Sequence, residues 1–393
     1  MVLDQGKPDG TGGKGKIFYL ARPASGGMRS HLEQLLRRFS RDYILYLGAP
    51  PENDPAMTAG LPADRLFRLP LSGGISPAGD LLVFQRLCGL LRRLRPDLLH
   101  IHGFKAALAG LPAARLARVP VLVTAHNYPA HGAFRYVPAA WKILGDGNTH
   151  YIAVSGALAG ELAALGIPRE RITVIHNGID AASFEAAAAG RPARFQPGRE
   201  MVVGTAARFA VQKGLSYFLE AAAALAPLFP QMRFLVAGDG PERPALERLA
   251  CRLGLSGRLS FCGHIDDLPR RLAGVDIFVL PSLTEGFSLA LLEAAAAGCA
   301  VVATRVGGIP EVIVNWVHGL LVPPADAVAL ARAVAALARN PALARRLALA
   351  GCERVRSQFT LERMLSRTAA LYRRLAAGGE CRAAKTGRPE VVR

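Results

Sequence analysis

Glu285 and Glu293 stand eight residues apart at the start of an apolar stretch, where Pro281-Ser282-Leu283-Thr284-Glu285-Gly286-Phe287-Ser288 opens into LALLEAAAAG. Eight residues is a little over two helical turns, so both carboxylates are expected near one face, about 12 Å apart along the axis. That span suits a ligand with two hydroxylated rings joined by a phosphate bridge. One carboxylate would accept hydroxyls from a sugar and the other from a ribose. Backbone N–H groups of Gly286, Phe287, Ser288 and Leu289 would meet the phosphate at the helix start. Glu285 alone also reads as an acid that favours a helix N-terminus. Glu293 lies between Leu292 and an Ala run with no other charge in its helix. A buried unpaired carboxylate is costly, which calls for a polar partner.

Arg208 and Lys213 flank a short loop after MVVGTAA (201–207). They read either as a diphosphate clamp, Arg as a fork and Lys as a point charge, or as a solvated surface pair. Gly26-Gly27 follows the run KIFYLA and opens a helix; it is a tight turn or a place of close backbone approach to phosphate or acceptor. His126 follows VLVTA, at a strand end, and His100 and His102 end the strand before it as packing or lip residues. Asn177-Gly178 and Gly238-Asp239-Gly240-Pro241 read mainly as turns.

The elements that must position these residues alternate. Strands are expected at Lys16–Ala21, 42–47, 97–101, 121–125, 151–154 and 172–175, with helices around 81–94, 104–117 and 155–165. Met28, Leu32, Leu35, Leu36 and Phe39 share one face of a first helix. The stretch 180–200 breaks the rhythm. Strands then resume at 201–207, 232–238, 259–263, 275–280 and 299–304, with helices around 214–226, 242–253, 287–297 and 325–338. Such alternation, twice over, predicts an α/β chain of two doubly wound, mostly parallel sheets. The expected organisation is a flexible leader (1–15), a first domain (16–185) completed by a helix at 359–376, a second domain (186–358) and a loose basic tail (377–393). Ligands in such sheets bind beyond the carboxyl ends of strands, where every residue singled out above lies.

A chain of 393 residues with 51% hydrophobic residues has material for two cores. Its net charge of +18 is spread evenly: 21 basic and 13 acidic residues in 1–180, 27 and 17 in 181–393. The balance favours anionic partners. The charge lacks aromatic interleaving and a recognition helix, so a nucleic-acid partner is not expected. Six cysteines without a C-x-x-C pair fit a reducing cytoplasm and argue against a zinc site. The opening MVLDQGKPDGTGGKGK has no apolar core and is not expected to be a secretory signal. The run 287–304 reads as a helix and a buried strand, not a membrane span. No G-x-x-x-x-G-K-[ST], D-x-D, G-x-S-x-G or H-E-x-x-H is present.

The E-x7-E run from Glu285 to Glu293, with Arg208, Lys213, Gly26-Gly27, His126 and VIHNGID (174–180), resembles family 4 retaining glycosyltransferases of the GT-B fold, over about residues 16–376. The resemblance implies two Rossmann-like domains facing each other across a cleft, with a last helix crossing back onto the first. It implies a nucleotide-sugar donor on the second domain and a hydroxyl acceptor on the first. No obligatory metal or other cofactor is implied. Carried over by position, Arg208 and Lys213 hold the donor diphosphate, Glu285 contacts the donor sugar and Glu293 the ribose. His126 lies near the donor sugar, Gly26-Gly27 approaches phosphate or acceptor, and the Ile265 region borders the base. Alternatives on the same architecture are a nucleotide-sugar 2-epimerase and a non-catalytic membrane-docking subunit. Arginines 37, 38, 41, 86, 92, 93 and 95 beside apolar helix faces give a further expectation, peripheral attachment to the anionic inner face of the cell membrane.

Overall fold

The computed structural model describes residues 14–383, apart from 24–25, 52–59, 73–75, 129–147, 189–194, 196–198 and 264–266. Two wholly parallel sheets organise the chain. The first holds β1 (Lys16–Ala21), β2 (Ile44–Ala49), β3 (Leu66–Arg68), β4 (Leu98–His102), β5 (Val121–Ala125), β6 (Thr149–Ala153) and β7 (Ile172–Val174), in the order β3-β2-β1-β4-β5-β6-β7. The second holds β8 (Met201–Ala206), β9 (Met232–Ala237), β10 (Leu259–Phe261), β11 (Ile277–Leu280), β12 (Ala300–Thr304) and β13 (Leu320–Val322), in the order β10-β9-β8-β11-β12-β13. The central strands are continuous apolar runs because helices cover both faces, leaving no solvated side to alternate toward. In each sheet the order reverses at the first strand, between β1 and β4 and between β8 and β11. Those switch points open crevices beyond Ala21 and His102, and beyond Ala206 and Leu280.

Helices α1 (Gly27–Phe39), α2 (Pro77–Leu94), α3 (Phe104–Ala117) and α4 (Gly156–Ala164) accompany the first sheet, whereas α5 (Ala181–Ala188) packs on the helices Leu268–Ala273 and Leu289–Ala296 of the second unit. The apolar face read on α1 is its buried face: Met28, Leu32, Leu35, Leu36 and Phe39 are all in the core. Around the second sheet lie α6 (Leu215–Leu225), α7 (Arg243–Arg252), α8 (Leu268–Ala273), α9 (Leu289–Ala296), α10 (Ile309–Val312), α11 (Ala327–Arg339) and α12 (Pro341–Gln358). The last helix, α13 (Leu361–Ala383), returns to the first sheet, where Met364, Leu371 and Tyr372 join a core with Tyr19, Leu32 and Leu35. The Tyr372 hydroxyl lies 2.9 Å from that of Tyr19 and 2.7 Å from His100 Nδ1. The chain thus passes between the two units twice, and the two passages touch as an isolated bridge of Ile179 with Thr360.

Several elements differ from the sequence reading. The three-residue edge strands β3 and β13 have no counterpart among the expected strands, unlike β7 and β10, which are edge strands of the same length. The rhythm-breaking stretch after Asp180 begins as α5, with Ala181 and Phe184 buried. Helix α12 follows α11 with only Asn340 between them, and that residue caps α12. Helix α13 continues to Ala383, so 377–383 is helical rather than loose tail; 384–393 and the leader 1–13 lie outside the described residues. Leu35, Leu36, Phe39, Leu87 and Leu91 are buried while arginines 37, 38, 41, 86, 92, 93 and 95 are exposed. The apolar stripes beside those arginines therefore belong largely to the core, with Leu90 and Leu94 half-buried. Among the described residues no single helix is long and apolar enough to cross a membrane. The run 287–304 forms α9 and β12.

Candidate active site

At the second switch point, the segments leaving β8 and β11 are packed together. Leu283 donates its N–H to the Gln212 carbonyl at 2.9 Å. This brings Lys213 onto Glu285: Nζ lies 2.6 Å from Oε2, with Glu285 buried and Lys213 partly so. The Ser282 hydroxyl donates to the same carboxylate oxygen at 3.2 Å, and Thr304 Oγ1 donates to the Ser282 carbonyl at 2.6 Å. Behind Glu285, Gly307 has a φ of +52°, and a Cβ there would fall 1.7 Å from the Glu285 carbonyl oxygen. Only a glycine tolerates both conditions, so the segment after β12 fixes the backbone that aims this carboxylate. Sequence reasoning gave Lys213 and Glu285 separate tasks, whereas the free protein holds them as one ion pair.

Arg208 is exposed and makes no hydrogen bond or ion pair among the described residues. Across the cleft, at the end of β1, stands Arg22. Burial, and then the charge of Arg208, lowers its pKa. Two cations from opposite units therefore approach one space.

The helix α9 starts at Leu289, four residues after Glu285, with Ser288 as its cap; the Ser288 hydroxyl accepts the Leu291 N–H at 3.2 Å. Glu285 thus lies at the strand-to-helix turn and Glu293 inside the helix, as the sequence suggests, but the helical spacing of two turns does not apply between them, because Glu285 is a loop residue set by Lys213, Ser282 and Gly307. Glu293 sits within α9, half-buried, and its carboxylate makes no hydrogen bond or ion pair among the described residues. Burial pushes its carboxyl up to about 7. The folded protein therefore holds this proton more tightly than the unfolded chain does. Stability falls as pH rises from the ordinary carboxylate range through about 7, and the penalty is complete above it. Glu293→Gln is expected to stabilise the free protein by ~1–3 kcal/mol near pH 8, with little effect near pH 4. Urea unfolding at the two pH values measures this; equal gains at both would show that the carboxylate carries no such penalty.

His126 follows β5 and is buried. Its Nε2 lies 3.2 Å from His102 Nδ1, and its ring packs edge-on against His31 at 4.9 Å. Burial lowers the pKa of all three, His31 to about 4, so they are neutral at neutral pH. His100 instead bonds Thr124 Oγ1 at 2.7 Å and Tyr372, as packing. The N-terminus of α1 faces the start of α9: a Cβ on Gly27 would stand 3.4 Å from Leu289, and Gly26 has a φ of +55°. A Cβ on Gly286 would come within 2.1 Å of the His126 carbonyl oxygen. Phe287 is buried against His176 and Phe359, with ring centroids 5.1 and 5.6 Å away, so its side chain packs at the crossing between the units. Ile265 lies outside the described residues.

Two contributors escaped the sequence reading. His31 lies on the buried face of α1, where its position was the available signal. Glu311 ties the units together: its carboxylate accepts the N–H groups of Gly156 and Ala157, both at 2.9 Å, and pairs with His176 Nε2 at 2.7 Å. Burial alone would raise its pKa, but these partners together hold it below the usual carboxylate range.

The model of glycosyltransferase family 4 matches residues 25–183, and that of the group 1 glycosyl transferases matches 200–340. The chain is 33% identical over 295 residues to a glycogen synthase of Mycobacterium tuberculosis, covering 72% of this chain and 70% of that one. It is 31% identical over 314 residues to the 2-deoxystreptamine glucosyltransferase of Streptomyces kanamyceticus, covering 73% and 80%. Among solved structures, the sucrose-phosphate synthase of Thermosynechococcus elongatus superposes with a TM-score of 0.79 at 23% identity, covering 93% of this chain and 100% of that one. HepE of Anabaena, in complex with UDP and glucose, gives 0.78 at 22% identity, covering 90% and 98%. The matched sequences and the two facing parallel-sheet domains lead to one conclusion: the chain belongs to glycosyltransferase family 4, on the GT-B architecture.

Proposed function

We propose that this glycosyltransferase is a retaining, metal-independent enzyme that moves a sugar from a nucleoside-diphosphate sugar to a hydroxyl acceptor in cell-surface polysaccharide or glycolipid synthesis. The observation that carries the reading is the Lys213–Glu285 pair at the second switch point, opposite the N-terminus of α1. Arg208 and Lys213 take the donor diphosphate, Lys213 exchanging Glu285 for phosphate oxygens. Glu285, freed of that pairing, accepts hydroxyls of the donor sugar. Glu293 accepts the ribose hydroxyls, giving its unpaired carboxyl polar partners. His126 lines the sugar side, and Gly26-Gly27 admits phosphate or acceptor to the start of α1. The bond from the anomeric carbon to phosphate breaks while a bond to the acceptor oxygen forms on the same face, and the acceptor proton passes to the leaving phosphate. Cations stabilise that phosphate more as its charge grows, so they act on the transition state. The HepE structures with UDP and UDP-glucose support a uridine donor as the first to try. The setting proposed is the cytoplasm, with attachment to an anionic inner membrane face through the exposed arginines.

Incubation with UDP-, GDP- and ADP-sugars tests the reading. One donor is expected to raise the melting temperature, since a ligand at 100 times its dissociation constant adds ~2.7 kcal/mol. The same donor should be hydrolysed slowly without acceptor, releasing a sugar of unchanged anomeric configuration by NMR. Appearance of a 2-epimer instead would replace transfer by epimerisation, and neither binding nor hydrolysis of any donor would favour a non-catalytic subunit.

A further inference from the structure

Where the chain crosses between the units lies a pocket of about 220 Å3 lined by His176, Glu311, Arg354, Phe359, Arg363 and Arg367 among others. Its wall draws on the end of the first sheet, on α10 and α12 of the second unit, and on the returning helix α13. Three arginines, Arg354, Arg363 and Arg367, line it. Arg354 lies 5.9 Å from the Phe359 ring centroid and donates through Nη2 to the Glu311 carbonyl at 2.8 Å, but its Nε is buried without a partner. Arg363 and Arg367 stand one turn apart on α13, and neither side chain makes a hydrogen bond or ion pair among the described residues. The lone carboxylate of the wall, Glu311, is already satisfied by Gly156, Ala157 and His176. Like charges gathered around a concave space, with unpaired donors and no free carboxylate, are complementary to an anion. Guanidinium groups match phosphate oxygens as forks.

We propose that this pocket, which none of Arg208, Lys213, Glu285 and Glu293 lines, is a second anion site that takes a soluble phosphorylated small molecule. The volume is below the about 300–1,000 Å3 of sites for drug-sized ligands, and holds a phosphate with a small organic body. A ligand there touches both passages of the chain at once, because Thr360 lines the pocket and bridges Ile179. Occupancy therefore braces the crossing on which the two units turn.

The test uses inorganic pyrophosphate as probe and calorimetric titration. In Arg22→Ala/Arg208→Ala/Lys213→Ala protein, which lacks the three cations named at the cleft, one equivalent of pyrophosphate is expected to bind. Adding Arg363→Ala and Arg367→Ala should weaken that binding at least tenfold. Both arginines are exposed, so the fold should persist, which circular dichroism checks. An Arg363→Lys/Arg367→Lys version keeps the charge and should retain more of the affinity than the alanine version. Absence of binding in the first variant, or binding that ignores Arg363 and Arg367, overturns the site. Sedimentation with phosphatidic-acid vesicles separates the sources: arginine-dependent capture by vesicles without pyrophosphate binding would replace the soluble ligand by a lipid headgroup.

Discussion

Lys213→Ala is expected to lower kcat by about 10²–10³-fold, the usual cost of removing one preorganised charge partner from a transition state. The same substitution strips Glu285 of its 2.6 Å partner and leaves a buried carboxylate held only by Ser282. A loss of stability would therefore accompany the loss of rate, and the two must be separated. The double variant Lys213→Ala/Glu285→Gln does so. Removing both charges abolishes the unpaired carboxylate, so stability should recover toward wild type. Activity should not recover, because the cation is still missing when charge grows on the leaving phosphate. Steady-state kinetics beside thermal melting read both quantities. Recovery of turnover together with stability would mean that Lys213 serves only to neutralise Glu285. Under the same scheme Glu293→Gln raises KM for the donor more than it lowers kcat, since ribose contacts are equal in the ground and transition states.

A second large effect is expected from Gly286→Ala. The three atoms nearest an added Cβ all belong to the first unit, the His126 carbonyl group and the Asn127 Cα, at 2.1 to 3.3 Å. The clash thus falls on the contact between the units, so melting should change less than turnover. The units, however, could not approach as closely as they do here. Turnover should fall about a hundredfold, since an ångström of misplacement at a reacting centre costs that much. Small-angle scattering with nucleoside diphosphate should give a larger radius of gyration than for wild type. Unchanged turnover would show that the His126–Gly286 contact is not made when the bond breaks.

The strands were legible because parallel strands covered by helices on both faces are uninterrupted apolar runs, as in VLVTA and CAVVAT. Of the four edge strands of three residues, β7 and β10 were legible from ITVI and LSFCG while β3 and β13 were not, and α12 went unread because Asn340 both ends one helix and caps the next, leaving no loop to mark the break. At the cleft, the segments after β8 and β11 were readable from their place at strand ends. Their pairing was not: Lys213 and Glu285 are 72 residues apart and meet only because β8 and β11 are neighbours. The clamp of Glu311 on Gly156 spans 155 residues and depends on how the two units face, which no local pattern encodes. The packing of His102 on His126 follows from the pairing of β4 with β5, where 24 residues separate two histidines that neighbour in space.

The return of α13 to the first sheet has a consequence for how the protein is made. Met364, Leu371 and Tyr372 complete a core whose other members, Tyr19, Leu32 and Leu35, leave the ribosome far earlier. At ~5–20 residues per second, the roughly 200 residues of the second unit occupy on the order of 10–40 s of synthesis. Throughout that interval the first-made sheet presents an unfilled apolar seat beneath Tyr19 and beside α1. The nascent chain is therefore a natural client for chaperones that hold exposed hydrophobic surface, and the half translated first is the half finished last.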